Sequence, residues 1–401
     1  MATSIASRRQ GIMTGKGGSS ELLQAGVTQR ALAAVAAQYP DDAWAGEARA
    51  YVRASVESVV PFTLNATHNA LSYPMDRLST GNAMLALYAP GDAATEPFRA
   101  AAAALRRSID LNRRNPEGGL WYFVYPQWSY LDGMYSLAPF YTLYATAAPS
   151  ANSSDACAAD AALDDMYYQI DLLWNRTRDA ASGLLVHGYD ASGTAVWARA
   201  GTGASPHVWG RSLGWYAMAL VDTLEVLPPA GAAHGGGAAA RHRGPLLAKF
   251  QALAAAVAAA ADPRTGAWWQ VLDAPGRAGN YIESSASAMF AYALLKGARL
   301  GYLDVPPPPP PPAYGDSGRP PLARAAATAL ALRAYRYINQ AFLVREPNGT
   351  LSYDRTVAVC SLNSTASYEY YVNQPINYNS VLGSAPYVLA SLEVERLLGA
   401  S

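Results

Sequence analysis

A short motif that recurs between stretches of helical character constrains this chain most. It reads Asn69-Ala-Leu-Ser-Tyr73, Gly119-Leu-Trp-Tyr122, Gly183-Leu-Leu-Val-His187, Gly266-Ala-Trp-Trp-Gln270 and Gly349-Thr-Leu-Ser-Tyr353. Each copy sets a small or turn residue before an apolar cluster with an aromatic or polar member. Each falls in a gap before the next helix, and the starts lie 50, 64, 83 and 83 residues apart. The flanking segments predict helices over Glu21–Gln38, Trp44–Val59, Thr95–Asn112, Ser136–Ala147, Asp160–Trp174, Arg211–Leu227, Leu246–Ala261, Ser284–Leu300, Leu322–Phe342 and Ser384–Leu398. Alanine and leucine dominate them, and no segment sustains the alternation of a β-strand. A repeat that cannot bury its own face must stack on its neighbours. Six helix pairs closed into a ring, an all-α (α/α)6 barrel, fit a chain of 401 residues. An open helical solenoid is the structural alternative. Either way the motif loops gather at one end, where a cleft can form.

Two low-complexity stretches interrupt the longer gaps: the Ala/Gly-rich 228–245, and 306–321, which opens with seven prolines. Both are expected to be surface loops, because proline runs fit neither helix interior nor central strand. Helical patterning continues on both sides, so residues 21–401 are expected to form one domain. Residues 1–20, polar and rich in Gly and Ser, are expected to be a disordered tail without a signal peptide's apolar stretch.

Half of the residues are apolar, enough for a large core, and 30 basic residues balance 30 acidic ones. Neither a nucleic-acid partner nor a membrane partner is indicated, and the chain is expected to be a monomer. Cys157 and Cys360 are too few for a disulfide framework and are expected to be free thiols. Asn-x-Ser/Thr sites at Asn65, Asn152, Asn175, Asn348 and Asn363 exceed the roughly one or two that chance supplies, and so favour a secreted protein. A cytoplasmic one is the alternative. The 26 Tyr and 9 Trp stand against only 7 Phe. Rings with a polar handle suit a sugar cleft, and suit a Tyr-rich core equally well.

Chemistry concentrates in two segments. In Pro126–Phe140, Asp132 sits among aromatic and apolar residues just before a helix. Desolvation there would raise the pKa of a carboxyl and suit a general acid. The same position also suits a helix N-cap. In Pro206–Asp222, Trp209, Arg211 and Trp215 open a helix. Arg211 could hold a carboxylate with its planar fork while the indoles stack on a sugar. Packing of Trp215 into the core and pairing of Arg211 with a structural acid are the alternatives. His187 lies in the third repeat loop, and Asp76 again precedes a helix as a possible cap or partner of Arg77. No zinc-protease, P-loop or serine-hydrolase motif is present.

Together these blocks resemble the unsaturated glycuronyl hydrolases, most closely the unsaturated rhamnogalacturonyl hydrolases of glycoside hydrolase family 105. The resemblance covers roughly residues 25 to 400. It rests on Tyr130-Leu-Asp-Gly-Met-Tyr, Ala138-Pro-Phe and Trp209-Gly-Arg-x-x-Gly-Trp-Tyr-Ala-Met-Ala-Leu-Val-Asp222. It continues in Gln270-Val-Leu-Asp273, Glu283–Phe290, Lys296-Gly and Tyr368-Glu-Tyr-Tyr371. It implies an (α/α)6 barrel and a substrate ending in a 4,5-unsaturated uronic acid. It also implies that Asp132 is the acid that protonates C4 and then the base toward water at C5. Asp76 would be the second acid, and His187 would bond the substrate or the water. Trp209, Arg211, Trp215 and Tyr130 would line the subsite, and neither metal nor organic cofactor would be needed. The chain departs from the family's pattern at Tyr130, where Trp is usual, at Trp121-Tyr122-Phe123, and at Pro375-Ile-Asn-Tyr-Asn379. These departures bear on the sugar next to the unsaturated one. Two other classes remain open: a conventional two-carboxylate glycosidase on the same ring, and a carbohydrate-binding toroid without catalysis.

Overall fold

The computed structural model describes residues 1–147, 153–228, 237–304 and 320–399. In chain order the helices are α1 (Ala2–Ser7), α2 (Glu21–Gln38), α3 (Ala45–Thr63), α4 (Ala66–Ser72), a 3-10 turn at Met75–Thr80 running into α5 (Gly81–Leu87), and α6 (Glu96–Asp110). There follow α7 (Asp132–Ala147), α8 (Ser153–Thr177), α9 (Gly210–Val226), α10 (Ala238–Ala259), α11 (Ser284–Arg299), α12 (Arg324–Ala341), α13 (Tyr368–Val372) and α14 (Val381–Gly399).

Which helix goes inside follows from what its faces carry. α9 is buried at every residue from Gly210 to Leu224, and α11 from Ser284 to Ala298. Small and apolar residues surround both, so each can be covered on all sides. α12 instead buries only the stripe Ala327, Ala331, Ala334 and Ile338, at the spacing of one helix face. The inner elements pack in a closed cycle: α2 on the 3-10 turn and α5, these on α7, then α9, α11, α14 and back to α2. α3, α6, α8, α10 and α12 lie outside them, and the short α1 packs on α14 and α2. The ring, not the open solenoid, is the arrangement adopted. At the α9–α11 seam two glycines permit the approach: a Cβ on Gly210 would lie 2.9 Å from Ala286 Cβ, and one on Gly214 2.7 Å from Met289 Sδ.

The repeat loops share a physical cause. After α8, Asp179 accepts from the Ser182 hydroxyl and amide, and Gly183 turns the chain with φ +72°. After α10, Asp262 accepts the same two bonds from Thr265, and Gly266 turns at φ +77°. Each loop thus leads an outer helix back toward the inner ring. Two antiparallel ladders link loops: β1 (Trp128–Tyr130) with β2 (Gly188–Asp190), and β3 (Leu343–Arg345) with β4 (Leu351–Tyr353). The first sets Tyr130 opposite Gly188, and Leu131 N–H donates to the His187 carbonyl at 3.1 Å. That pairing brings Asp132 beside His187.

Three expectations change. Residues 1–20 are ordered rather than a free tail. α1 forms, Ile5 and Met13 are buried, and Arg8 donates to the Leu351 carbonyl and the Ser352 hydroxyl. Arg8 finds partners 343 and 344 residues away, which composition does not reveal. The stretch 228–245 is not all loop, because α10 begins at Ala238 and carries Pro245 within it. Residues 229–236 of that stretch lie outside the described residues, as do 305–319, most of the second insertion. The motif copy Asn69–Tyr73 lies largely in α4 rather than in a loop. Among the described residues no helix is long and apolar enough to cross a membrane, and Cys157 and Cys360 are both free.

Candidate active site

The loops before the inner helices enclose a cavity of about 600 Å³, counting the solvent at its mouth. Asp76, Tyr130, Asp132, Trp209, Arg211 and Trp215 all line it. His187 lies behind this wall, fully buried, with Nε2 3.3 Å from Asp132 Oδ2. The ring thus brings together seven side chains singled out in the sequence, from the 3-10 turn, β1, α7, the loop before β2, and α9 with its cap.

Asp132 is the first residue of α7 and only 8% exposed. Its Oδ2 accepts from the Ser212 hydroxyl at 2.5 Å. No backbone N–H of the first turn of α7 bonds to it, so it does not serve as a cap. Asp76, 3% exposed, accepts from the Tyr122 hydroxyl at 2.9 Å. Its neighbour Arg77 turns away, donating to Ser108, Asn112 and the carbonyls of Tyr73 and Pro74. Burial first, and then the negative charge of Asp132, push the Asp76 carboxyl up to about 7. One proton is thus available near neutral pH to the two carboxyl groups that line the cavity.

His187 Nδ1 is 2.8 Å from the Tyr371 hydroxyl, and its imidazole sits between the rings of Tyr130 and Trp209. Nε2 has no aligned hydrogen-bond partner despite its nearness to Asp132. A buried polar atom in that state is satisfied by a water or a ligand hydroxyl.

Arg211 is buried and largely committed. Nε donates to Ser285, Nη2 to the Val357 carbonyl, Nη1 to the Ala358 carbonyl at 3.4 Å, and Glu283 lies 3.5 Å away. It is the single basic side chain lining the cavity among the described residues, and Nη1 is its least tightly held donor. Trp209 and Trp215 are each 1% exposed, and Trp215 lies on Tyr135 at 4.5 Å. Both indoles form the inner wall, where a fully buried large ring contributes about 1.5–3 kcal/mol. The more open aromatic surface belongs to Tyr122, Phe123 and Tyr125. The Tyr122 ring stacks on Tyr130 at 4.3 Å and 10°.

Sequence reasoning assigned no role to Ser212, Tyr122, Tyr371 or Glu283. Ser212 stands one residue after Arg211, and its direction follows only from the turn of α9. Tyr371 ends a block already noted, and its partner is 184 residues distant. Among the described residues no group of three or more His, Cys, Asp or Glu is placed to hold a metal ion.

The model of glycosyl hydrolase family 88 matches residues 19–306. The chain belongs to that family. A protein of Agrobacterium fabrum (strain C58), Protein Atu3128, is 36% identical over 237 residues, 58% of this chain and 90% of that one. A glycoside hydrolase from family 105 of C. acetobutylicum ATCC 824 is 29% identical, covers 98% of each chain and superposes with a TM-score of 0.77. An unsaturated glucuronyl hydrolase from Bacillus sp. GL1 covers 98% of this chain and 94% of its own, at 14% identity and a TM-score of 0.61, and so shares the fold. The chain is therefore a glycoside hydrolase of the family 88/105 kind, built on their all-α toroid and acting on an oligosaccharide.

Proposed function

We propose that this family 88 hydrolase removes a 4,5-unsaturated uronic acid from the non-reducing end of lyase-generated oligosaccharides of rhamnogalacturonan type. The observation that carries the reading is the pair Asp76 and Asp132 in one enclosed cavity, with Asp76 titrating at about 7. A vinyl ether needs a proton at C4 and water at C5, and such a pair can supply the one and activate the other. Asp132 Oδ2 is held by Ser212. Oδ1 has no protein partner among the described residues; when the one proton of the pair passes from Asp76 to Asp132, it is the oxygen that delivers that proton. The resulting carboxylate then takes a proton from the water as its oxygen bonds C5. The hemiketal opens at its C5–O5 bond to a ketone, leaving C1 as a hemiacetal, and this collapses to an aldehyde as its bond to the second sugar breaks and that sugar leaves as an alcohol. His187 Nε2 is placed to bond that water or a ring hydroxyl.

The ring also favours an anionic substrate. Ser20, Asp132, Arg211 and Leu382, at the starts of α2, α7, α9 and α14, all line the cavity. Several inner helices therefore turn their positive ends toward it. With Arg211 Nη1 they offset the charge of a uronate carboxylate.

The test is to mix the protein with unsaturated oligosaccharides from pectin, ulvan-type and arabinogalactan polymers and follow the ultraviolet absorbance of the conjugated enol ether. Absorbance falls with wild type and not with Asp132→Asn. Sugar release with the absorbance intact would mean ordinary glycoside cleavage instead.

A further inference from the structure

His187 is wholly buried behind the reaction cavity, so what faces each ring nitrogen decides which one carries a proton. Nδ1 faces the Tyr371 hydroxyl at 2.8 Å. The Tyr371 side chain is itself fully buried, and among the described residues His187 Nδ1 is the single partner of its hydroxyl. Burial holds that phenol well above its ordinary range, so it keeps its proton and needs an acceptor for it. Donation to Nδ1 satisfies both atoms. The reverse bond, from Nδ1–H to the phenol oxygen, would leave a buried O–H without an acceptor.

The other nitrogen points the same way independently. Nε2 is 3.3 Å from Asp132 Oδ2, an oxygen that acts as an acceptor toward the Ser212 hydroxyl. An N–H suits such a neighbour, whereas a bare nitrogen would set its lone pair against those of the oxygen. Asp132 is the single carboxylate within ion-pair distance of the imidazole among the described residues. The flanking rings of Tyr130 and Trp209 are uncharged, the Tyr130 phenol being also pushed up by burial.

Tyr371 is held from two sides. It lies in α13, where its amide donates to the Ser367 carbonyl at 3.2 Å. Its own carbonyl accepts from Gln270 Nε2 at 3.3 Å, and Gln270 Oε1 accepts from Trp209 Nε1 at 3.2 Å. Gln270, which closes the fourth copy of the repeat motif, thus ties together two of the rings around His187.

We propose that Tyr371 is a positioning residue that keeps His187 as the tautomer with its proton on Nε2. His187 is then a donor toward the cavity and not a base. Its part in turnover rests on the hydration reading above. There it donates to an oxygen of the substrate or of the attacking water and cannot take the water's proton, which leaves Asp132 as the base. Nε2–H also meets the carboxylate that Asp132 becomes once C4 is protonated, and stabilises it.

The experiment is nitrogen NMR of the whole protein carrying isotope-labelled histidine, at neutral pH, which tells a protonated ring nitrogen from a bare one. The His187 signals are those that vanish in His187→Asn or, if that variant does not fold, those that remain when the other histidines are replaced by glutamine. A protonated Nε2 and a bare Nδ1 are expected in wild type. A protonated Nδ1 there overturns the proposal. Tyr371→Phe keeps the ring without the hydroxyl, and is expected to bring molecules with a protonated Nδ1 into view. It should also lower kcat on an unsaturated disaccharide by about tenfold, with KM within about twofold. Should it not fold, Gln270→Leu, which releases the Tyr371 carbonyl, is expected to move both readouts the same way, with kcat down about threefold. Unchanged His187 signals, or kcat within about twofold of wild type in Tyr371→Phe, overturn the positioning role. The nitrogen signals do not depend on turnover. If wild type leaves the absorbance of every unsaturated oligosaccharide unchanged, the hydration reading falls, and the tautomer is still decided by its own signals.

Discussion

Two acids buried in the same barrel behave in opposite ways. Asp76 faces the cavity beside a second carboxylate, while the nearest guanidinium, Arg77, spends its donors elsewhere. Its proton stays on up to about pH 7. Asp222 lies about 18 Å further along α9 from the cavity end, at 1.5 Å per residue. Its Oδ1 is 2.7 Å from Arg30, from Lys296 and from the Tyr292 hydroxyl. Burial works against the charge of Lys296, but Asp222 outweighs it and holds the ammonium above its ordinary range. Burial alone therefore does not make an acid functional. An acid placed with a like charge keeps a proton to give, and an acid placed among cations becomes a strut joining α2, α9 and α11.

The sharpest way to break this contrast is Asp132→Asn. Loss of the acid is expected to cost about a thousandfold or more in rate, with a melting temperature near that of wild type; the ultraviolet assay and a thermal melt decide it. Asp222→Asn should do the reverse. It leaves Arg30 and Lys296 without their carboxylate and is expected to cost about 3–5 kcal/mol of stability, read by denaturant unfolding. Activity per folded molecule should stay within a few-fold. Equal activity losses in the two variants would dissolve the distinction.

Asp76→Asn tests the sign of the shift. A carboxyl whose pKa rises from 3.8 to about 7 on folding carries an ionisation penalty. That penalty is absent below about pH 4 and complete above about pH 7, so wild-type stability falls across that window. The amide carries no such penalty and should stabilise the fold at pH 8 by on the order of 2 kcal/mol, a part of the roughly 1.4 kcal/mol per unit that the shift implies. The wild-type rate should likewise fall as pH rises through about 7, and this limb should vanish in Asp76→Asn. Smallest of all, Ser212→Ala removes one bond to Asp132 and should lower kcat by about fivefold, for roughly 1 kcal/mol lost, with KM little changed.

Much of the ring was legible beforehand because helical patterning is local. Glu21–Gln38 was read to the residue as α2, and α9 and α11 within one residue at each end. α4, the 3-10 turn and α5 were not, since Asn69–Tyr73 and Pro74–Leu87 are short and carry turn residues that mask a helix. Asp132 and Asp76 stood out because each stands at a helix start, and Trp209, Arg211 and Trp215 because they cluster in the approach to α9 and its first turns. The openness of the indoles and the freedom of Arg211 were not legible. They depend on Tyr135, Glu283, Ser285 and the carbonyls of Val357 and Ala358, which arrive from other parts of the chain.

What the sequence determined by itself was the helical repeat, the turn chemistry of Asp179–Gly183 and Asp262–Gly266, and the residue types gathered at one end. Local torsional preference and apolar spacing act over a few residues and need no partner. What tertiary structure alone decided was that Asp76 is pushed up to about 7, which arginine was already bound, and that Ser19 and Ser20 belong to the wall of the site. Each of these turns on the sum of charges and donors around a group, and that sum exists only once the ring has closed.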